Sequence, residues 1–307
     1  MTTTWRLKHE LKRTLQCLPA ALRRYRFKKL LLDQLTTESA AGLIETAITE
    51  GKPYLVGRLG SVESRLVGEY LFRGSSYSRL TLNQAHCNAG IFPLGKESLD
   101  EVANRLYSSL QLVDLLGIWD SPYQYKMVGQ LSSHPKICDL AALEPWWSVE
   151  PWSRVLSGKR VLVVHPFVET IESQHSMSNH IHPDSPSLLP RFDLICVRPP
   201  QTLGHDREGF RSWNDALSQL IERVSMVPFD VALIGCGAYG LPLGAAIKQM
   251  GKPAVHLGGA LQLLFGIRGR RWEAMPQYLP LMNDAWVRPS STETPPLAET
   301  VDGGCYW

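Results

Sequence analysis

Residues 230–259 read DVALIGCGAYGLPLGAAIKQMGKPAVHLGG, and the order of patterns in this stretch decides the fold class. A short apolar run at Asp230–Ile234 predicts a strand, which leads through the glycine turn Gly235–Gly240 into a helical pattern that extends to Met250. A second apolar run, Ala254–Leu257, predicts the next strand. Strand, helix and strand at this spacing are typical of a parallel sheet covered by helices. We therefore predict an α/β protein with a Rossmann-like, mostly parallel sheet and helices on both faces.

The same alternation of strands and helices extends towards the N-terminus. Further strands are predicted at Tyr54–Val56, Leu115–Trp119, Arg160–Val164 and Asp193–Val197, and helices at residues 96–113 and 209–224. Residues 173–190 are polar and rich in His, Ser and Pro, which predicts a surface loop. We divide the chain into a basic amphipathic helical segment (residues 1–50), a catalytic domain (51–290) and an extended tail (291–307) that docks on the domain.

Residues 1–30 carry a strong excess of positive charge. They contain nine Lys or Arg residues against the single acid Glu10, whereas the whole chain has a net charge of +3. Leucines recur there at helical spacing on one face: Leu7, Leu11, Leu15, Leu18 and Leu22. Such a helix either lies on an anionic membrane surface or packs its leucines on the main domain with its charges solvated. Nucleic acid is not expected as a partner, because no further basic stripe with interleaved aromatic residues follows.

The composition predicts a cytoplasmic protein. No run of 18 apolar residues is present, and the N-terminus lacks the apolar core of a signal peptide. The six cysteines lie far apart and form no CxxC pair, which argues against a disulfide scaffold or a zinc ribbon. If residues 1–30 bind lipid, the protein would be peripheral on the inner membrane face.

The glycine turn after the strand at Asp230–Ile234 matches GxGxxG through Gly235, Gly237 and Gly240. Glycines in that position let backbone amides approach a phosphate at the start of the following helix. Dinucleotide-binding proteins add an acid about 20 residues further on, which holds a ribose hydroxyl. Here the next strand ends near His256 without a carboxylate, so the turn predicts anion binding rather than NAD binding. The other interpretation is that these glycines only allow close packing of helix and strand.

A second glycine turn, Arg58–Glu63, follows the strand at Tyr54–Val56. Its arginine can bind a phosphate through two parallel hydrogen bonds. Its glutamate can bind a divalent metal or take a proton from an acceptor hydroxyl. Both side chains are expected at the carboxyl edge of the sheet, where open α/β sheets bind ligands. Alternatively, Arg58 and Glu63 form a salt bridge that only stiffens the turn.

The pattern Arg58-x-Gly60-x-x-Glu63 resembles the R-F-G-D-G-E signature of the GT-D class of bacterial glycosyltransferases. Residues 230–272 are similar to the C-terminal segment of that family, which ends in H-L-G-G and an aromatic-rich helix. Arg198-Pro199-Pro200 falls where the family has a proline-containing loop. The similarity covers roughly residues 50–275. It implies transfer of a sugar from a nucleotide-sugar donor to a glycan or lipid-linked acceptor in bacterial surface polysaccharide biosynthesis.

Residue roles follow from the two turns and from this resemblance. Glu63 and Arg58 are the predicted catalytic residues, Glu63 as general base or metal ligand and Arg58 as phosphate ligand. His165 ends a predicted strand and faces the cleft, where it either contacts the ligand or supports the structure. The predicted donor-binding residues are Gly60, Ser61, His165, Arg198, Gly235, Gly237, Tyr239, Gly240 and His256.

The need for a metal is open at this point, because Ser61 stands where the family has the aspartate of an Asp-x-Glu pair. Its absence removes one hard oxygen ligand. Either Mn²⁺ or Mg²⁺ is shared between Glu63 and the donor diphosphate, or Arg58 and helix N-termini take its place. We favour metal independence. A second group is spaced like metal ligands, but a loop gives it no rigid scaffold, which favours acceptor binding or solvation over zinc: His175, His180, His182 and Asp184.

Two other functions are kept as alternatives. An NAD- or S-adenosylmethionine-dependent Rossmann enzyme would use the Gly235–Gly240 turn for its cofactor. An inactive scaffold of a glycan-assembly complex would account for Ser61 in place of an acid.

Overall fold

The computed structural model describes residues 33–202, 207–295, 298–301 and 303–307. The strands are β1 (Tyr54–Arg58), β2 (Leu115–Ile118), β3 (Lys136–Asp139), β4 (Arg160–Val164), β5 (Asp193–Val197), β6 (Val231–Ile234) and β7 (Pro253–His256). They form one seven-stranded sheet in the order β3-β2-β1-β7-β6-β4-β5. Every pair of neighbouring strands is parallel. The prediction of a parallel α/β sheet is confirmed.

Helices and short 3₁₀ turns connect the strands. The helices are α1 (Thr37–Glu50), α2 (Ser61–Phe72), α3 (Arg79–Cys87), α4 (Lys96–Leu110), α5 (Gln124–Val128), α6 (Val168–Ser176), α7 (Ser178–Ile181), α8 (Trp213–Ser225), α9 (Gly240–Gln249), α10 (Leu261–Leu264) and α11 (Arg270–Glu273). The 3₁₀ turns are Leu140–Leu143, Pro145–Trp147, Trp152–Leu156, Gly237–Tyr239, Gly258–Ala260, Pro276–Leu281, Ser291–Glu293 and Ala298–Thr300.

Helices cover both faces of the sheet, as predicted. One face packs alternate strand residues such as Leu162 against α2, α3, α4, α8 and α9. The other face packs the intervening strand residues, such as Val163, against α1, α6, α10 and α11. Because both faces are buried, the central strands are continuous apolar runs rather than alternating ones. This burial explains why the sequence of β4, β6 and β7 indicated a parallel sheet.

The segment 173–190 is only partly the surface loop that its composition predicted. Its first half belongs to α6 and α7, whose apolar residues Ile171 and Ile181 are fully buried. His182 is also buried, and its Nε2 lies 3.0 Å from the carbonyl oxygen of Leu264. A few well-spaced apolar residues therefore decide the structure here, although polar residues outnumber them.

Residues 33–50 are the described part of the N-terminal segment. Within them α1 buries Ala40, Ile44 and Ile48 against the sheet. The amphipathic stretch expected over residues 1–30 lies outside the described residues. In the part of the chain that the structure describes, no helix is long and apolar enough to cross a membrane.

The C-terminal residues pack back on the domain. The ring of Trp307 meets that of Phe167 edge-on, with centroids 6.1 Å apart. Arg288 donates a hydrogen bond of 2.9 Å to the carbonyl oxygen of Trp307, and the indole of Trp307 donates to the carbonyl oxygen of Glu293 at 3.2 Å. These contacts bring the neighbouring Tyr306 to the carboxyl edge of the sheet.

Candidate functional site

A cavity of about 390 Å³ lies at the ends of β1, β2 and β7, and we refer to it as the charged cavity. Its wall contains two arginines, two carboxylates and a histidine: Arg58, Arg271, Glu63, Glu144 and His256. Its volume is in the range of small-molecule binding sites. The cavity thus brings the Arg58 turn together with the end of β7, as a ligand site at the sheet edge requires.

A second cavity of about 100 Å³ lies at the ends of β4 and β6, and we refer to it as the apolar cavity. It is lined mainly by rings and prolines, among them Phe167, Pro200, Tyr239 and Trp307. Strands β4 and β6 are neighbours in the sheet, but after β4 the chain continues to β5 on one side and after β6 it continues to β7 on the other side. The cavity therefore lies at a topological switch point, where open α/β sheets bind ligands. The two cavities share Asn88, Gly237, Gly259 and Tyr306 and therefore form one cleft.

Arg58 ends β1, and its half-buried guanidinium enters the charged cavity. Gly258 leaves room for it, since a Cβ at that position would lie 2.6 Å from Nη1 of Arg58. Among the described residues Arg58 has no ion-pair partner, and its buried Nε has no hydrogen-bond partner. A guanidinium in this state favours an anionic ligand.

The turn after Arg58 starts α2 with Gly60 as the N-cap and Ser61 as the first helical residue. The carboxylate of Glu63 folds back over Gly60, so closely that a Cβ on residue 60 would overlap it. An acid in the first turn of a helix compensates the partial positive charge there. Gly60, Ser61 and Glu63 all line the charged cavity.

Glu144 is a candidate residue that the sequence analysis missed. It lies in the wall of the charged cavity with 7% of its surface exposed. Its carboxylate accepts hydrogen bonds from the indoles of Trp147 (2.7 Å) and Trp146 (3.1 Å) and from the hydroxyl of Tyr278 (2.9 Å). Burial raises the pKa of Glu144 to about 7, against the effect of these donors and of the Arg58 charge.

The sequence did contain a signal for Glu144. The acid stands between Leu143 and Pro145 in a segment rich in tryptophan, where an unpaired carboxylate would be costly to bury. Two indole donors directly follow it in the chain, so the local sequence alone supplies part of its hydrogen bonding. The third donor, Tyr278, is 134 residues away and could not be found by pattern.

His165 and His256 are both buried and neutral at pH 7. Burial lowers the pKa of each to about 3, and at His256 the positive charge of Arg58 acts in the same direction. His165 lines the apolar cavity, and its Nδ1 accepts a hydrogen bond of 3.1 Å from the backbone of Phe167. His256 lines the charged cavity, and its buried Nδ1 has no partner among the described residues. His256 thus retains an unused polar atom at this cavity.

The outer glycines of the GxGxxG turn have packing roles. A Cβ on Gly235 would lie 2.6 Å from the ring of His165 and 2.8 Å from the carbonyl oxygen of Gly258. A Cβ on Gly240 would overlap the ring of His256. Gly235 still lines the apolar cavity, whereas Gly240 lines neither cavity. The structure thus gives Gly240 a packing contact with His256 and does not bring it to either cavity.

The middle of the turn faces the cleft. Gly237 has a φ of 57° and no atom within 4 Å of where a Cβ would stand, and it lines both cavities. Tyr239 is buried, stacks on Trp213 with ring centroids 4.8 Å apart, and places its hydroxyl 2.8 Å from Oγ1 of Thr202. Tyr239 lines the apolar cavity with its hydroxyl already paired to Thr202.

Arg198 is not brought to the predicted donor site. Its Nη2 lies 3.2 Å from Oε1 of Glu169 and 4.0 Å from Oε1 of Glu293. It lines neither cavity. Two acids near the start of α6 pair with the guanidinium there.

The histidines of the 175–184 segment do not converge on a metal. His175 packs on Phe192, with ring centroids 4.4 Å apart, and His182 bonds to the backbone. Within the described ranges no group of three His, Cys, Asp or Glu side chains could hold a metal ion. At the charged cavity Glu63 and Ser61 offer a carboxylate and a hydroxyl. Mg²⁺ prefers six oxygen ligands, so an ion there would need oxygens from a bound diphosphate.

Comparisons of the chain with protein-family models, with curated proteins and with solved structures found no match.

Proposed function

We propose that the protein is a glycosyltransferase that moves a sugar from a nucleotide-sugar donor to a glycan or lipid-linked acceptor in bacterial surface polysaccharide biosynthesis. The observation that supports this best is the guanidinium of Arg58, which lies in the charged cavity without an ion-pair partner among the described residues. An arginine in this position suits a diphosphate. Carboxylates on the same cavity suit proton transfer from an acceptor hydroxyl.

The cleft suggests how a donor would lie. The diphosphate is placed against Arg58 and the first turn of α2, with the backbone of Gly237 opposite. The nucleoside extends into the apolar cavity, where Phe167, Tyr239 and Trp307 provide aromatic surface. When the bond between sugar and diphosphate breaks, negative charge develops on the departing oxygen, and Arg58 stabilises that charge.

Metal independence remains our preferred form of this proposal. Arg58 supplies positive charge at the diphosphate without a metal. The alternative form has Mn²⁺ or Mg²⁺ held between Glu63 and the diphosphate oxygens. The two forms differ in whether donor binding needs the ion.

Thermal-shift measurements with a panel of UDP- and dTDP-sugars, each with and without Mn²⁺, test the proposal. A donor at about 100 times its Kd adds roughly 2.7 kcal/mol of apparent stability. We expect one of these donors to raise the Tm of the wild type and of Arg160→Gln by the same amount, and that of Arg58→Gln by clearly less. Arg160 is a matched control, because it starts β4 and therefore lies at the amino ends of the strands, away from the cleft. Its side chain is exposed and forms an ion pair with Asp230 (2.7 Å).

Other outcomes of the panel would contradict the proposal. Stabilisation by NAD or S-adenosylmethionine, with none by a nucleotide sugar, would favour a Rossmann enzyme of another class. If no ligand of the panel raises the Tm, the result would favour a scaffold without catalysis.

We further propose that residues 1–30 hold the enzyme on the anionic inner face of the membrane, where a lipid-linked acceptor lies. The nine basic residues there support this, since each Lys or Arg near an anionic surface contributes about 1 kcal/mol. Cosedimentation should show binding to phosphatidylglycerol vesicles and not to phosphatidylcholine vesicles. Deletion of residues 1–32 should abolish this binding. Retained binding after the deletion would contradict the role of these residues.

A further inference from the structure

We propose that Glu144 is the general base of the transfer, the group that takes the proton from the acceptor hydroxyl; this rests on the glycosyltransferase function proposed above. Glu144 and Arg58 line the same cavity, so groups on one wall can serve both the acceptor oxygen and the departing diphosphate. Glu63 is less suited to this role, because its carboxylate is turned back over Gly60 and the start of α2.

The hydrogen bonds to Glu144 leave one carboxylate oxygen available. Oε2 accepts from Trp147 (2.7 Å), from Trp146 (3.1 Å) and from the Tyr278 hydroxyl (2.9 Å). Among the described residues Oε1 receives only the longer contact of 3.2 Å from that same hydroxyl. Each carboxylate oxygen has two lone pairs, so Oε2 is saturated and Oε1 keeps a lone pair for a substrate proton. The three donors also fix the orientation of the carboxylate.

The environment of Glu144 also gives it a useful basicity. Burial raises its pKa to about 7, although the three donors and Arg58 oppose this. A base with a pKa near the working pH is partly deprotonated and still has a high proton affinity. Unlike an exposed carboxylate, Glu144 can therefore hold a proton at neutral pH.

The other titratable groups of the cavity must be separated from Glu144 in any pH profile. These groups are Arg58, Glu63, His256, Arg271, Tyr278 and Tyr306. Burial lowers the pKa of His256 to about 3 and raises that of Tyr278, so neither titrates near pH 7. In a plot of reaction rate against pH, a limb is a range over which the rate changes as a group titrates. A limb near pH 7 that disappears when Glu144 is replaced belongs to Glu144.

The reaction step is a single displacement. The proton of the acceptor O–H moves to Oε1 of Glu144, and the acceptor oxygen forms a bond to the anomeric carbon of the donor sugar. The bond between that carbon and the diphosphate oxygen breaks, and its electron pair leaves with the nucleoside diphosphate beside Arg58. The configuration at the anomeric carbon is inverted. Glu144 afterwards releases its proton to water.

Transfer of the sugar to water tests the proposal, because it releases free nucleoside diphosphate and needs no known acceptor. The probes are the UDP- and dTDP-sugars of the panel, assayed from about pH 5.5 to 8.5. We expect Glu144→Gln to slow the release by roughly 10²- to 10⁴-fold and to remove the limb near pH 7, with the donor Kd unchanged. Glu150→Gln is the matched control, since Glu150 lies in the same segment, is exposed and pairs with Arg154 at 3.0 Å.

A second variant covers the case in which Glu144→Gln does not fold. Trp147→Phe removes the shortest hydrogen bond to the ionised carboxylate of Glu144, which should raise the pKa of Glu144. The limb should therefore move to higher pH while activity persists. A carboxylate with only a structural role would leave the limb in place.

Three results would overturn the role of Glu144 alone. They are turnover of Glu144→Gln at the wild-type rate, a wild-type profile without a limb near pH 7, and donor binding by the wild type without any release of nucleoside diphosphate. If no nucleotide sugar binds, the proposed function itself is overturned, and the role of Glu144 with it.

Discussion

At the scale of single residues, both the backbone conformation and the neighbouring Arg58 side chain require a glycine at position 258. Its φ of 63° is one that side chains rarely adopt, and a Cβ there would lie 2.6 Å from the Arg58 guanidinium. We predict that Gly258→Ala displaces Arg58 and weakens donor binding at least tenfold, which corresponds to about 1.4 kcal/mol. The backbone strain should also lower the stability by about 1–2 kcal/mol. Titration calorimetry and thermal unfolding measure the two effects separately.

Gly251 provides the control for this variant. It has a φ of 84° and no atom within 4 Å of the position of a Cβ, so Gly251→Ala introduces strain without a contact. Its stability should fall by a similar amount while its donor Kd stays at the wild-type value. An equal loss of binding in both variants would show that strain, and not the position of Arg58, is responsible.

Glu144 makes the stability of the protein depend on pH. Burial raises its pKa from the ordinary value of 4.5 to about 7 in the folded protein, so the folded state binds the proton more tightly than the unfolded state does. The resulting stabilisation is complete below about pH 4.5 and is lost as the pH rises through 7. A shift of this size corresponds to roughly 3 kcal/mol. The free energy of unfolding of the wild type, relative to Glu144→Gln, should therefore fall between pH 5 and pH 8.

Urea unfolding of the two proteins at several pH values measures this difference. Glu150→Gln should follow the wild type at each pH, because its carboxylate is exposed. A difference between wild type and Glu144→Gln that is constant or grows with pH would contradict the raised pKa.

At the scale of elements, helix α6 is capped by a residue from the C-terminal part of the chain. Its own N-cap, Phe167, makes no capping bond through its side chain. The fully buried carboxylate of Glu293 instead accepts hydrogen bonds from the backbone of Glu169 (2.7 Å) and Thr170 (3.3 Å) and from the Thr170 hydroxyl. We predict that Glu293→Gln lowers the free energy of unfolding by about 2 kcal/mol, because charge-assisted bonds are lost in a buried place.

Glu299 is the matched control for Glu293. It pairs with Arg270 at 2.8 Å, but its side chain is 71% exposed. Exposed pairs contribute little, so Glu299→Gln should change the stability by less than about 0.5 kcal/mol. Equal effects of the two substitutions in chemical denaturation would contradict the capping role of Glu293.

The elements also show which parts of the fold the sequence could predict. The apolar runs of the buried strand β4 and of the partly exposed edge strand β5 fixed their limits correctly. Strand β3 and helix α3 were missed, because β3 has four residues with only Cys138 fully buried and α3 buries only Thr81 and Ala85. Short elements with few buried residues carry too weak a periodic signal for detection.

At the scale of the whole molecule, the fold class was predictable and the composition of the cleft was not. Alternation of strands and helices is a local pattern, and parallel strands necessarily bring their carboxyl ends to one edge. Arg58 and His256 could therefore be expected on one cavity, and both line it. Glu144 and Tyr306 could not be expected there, because their positions depend on contacts between distant segments, such as Glu144 with Tyr278. Arg198 was expected at the same site, but it pairs with acids that lie outside any motif.

The central claim is that Arg58 binds the diphosphate of a nucleotide sugar in the charged cavity. The most direct test is the Kd of the stabilising donor for wild type, Arg58→Gln and Arg160→Gln by titration calorimetry. Loss of a bidentate, charge-assisted contact predicts a Kd raised roughly 10- to 100-fold in Arg58→Gln. Arg160→Gln should bind as the wild type does. Equal Kd values for Arg58→Gln and wild type would contradict the account.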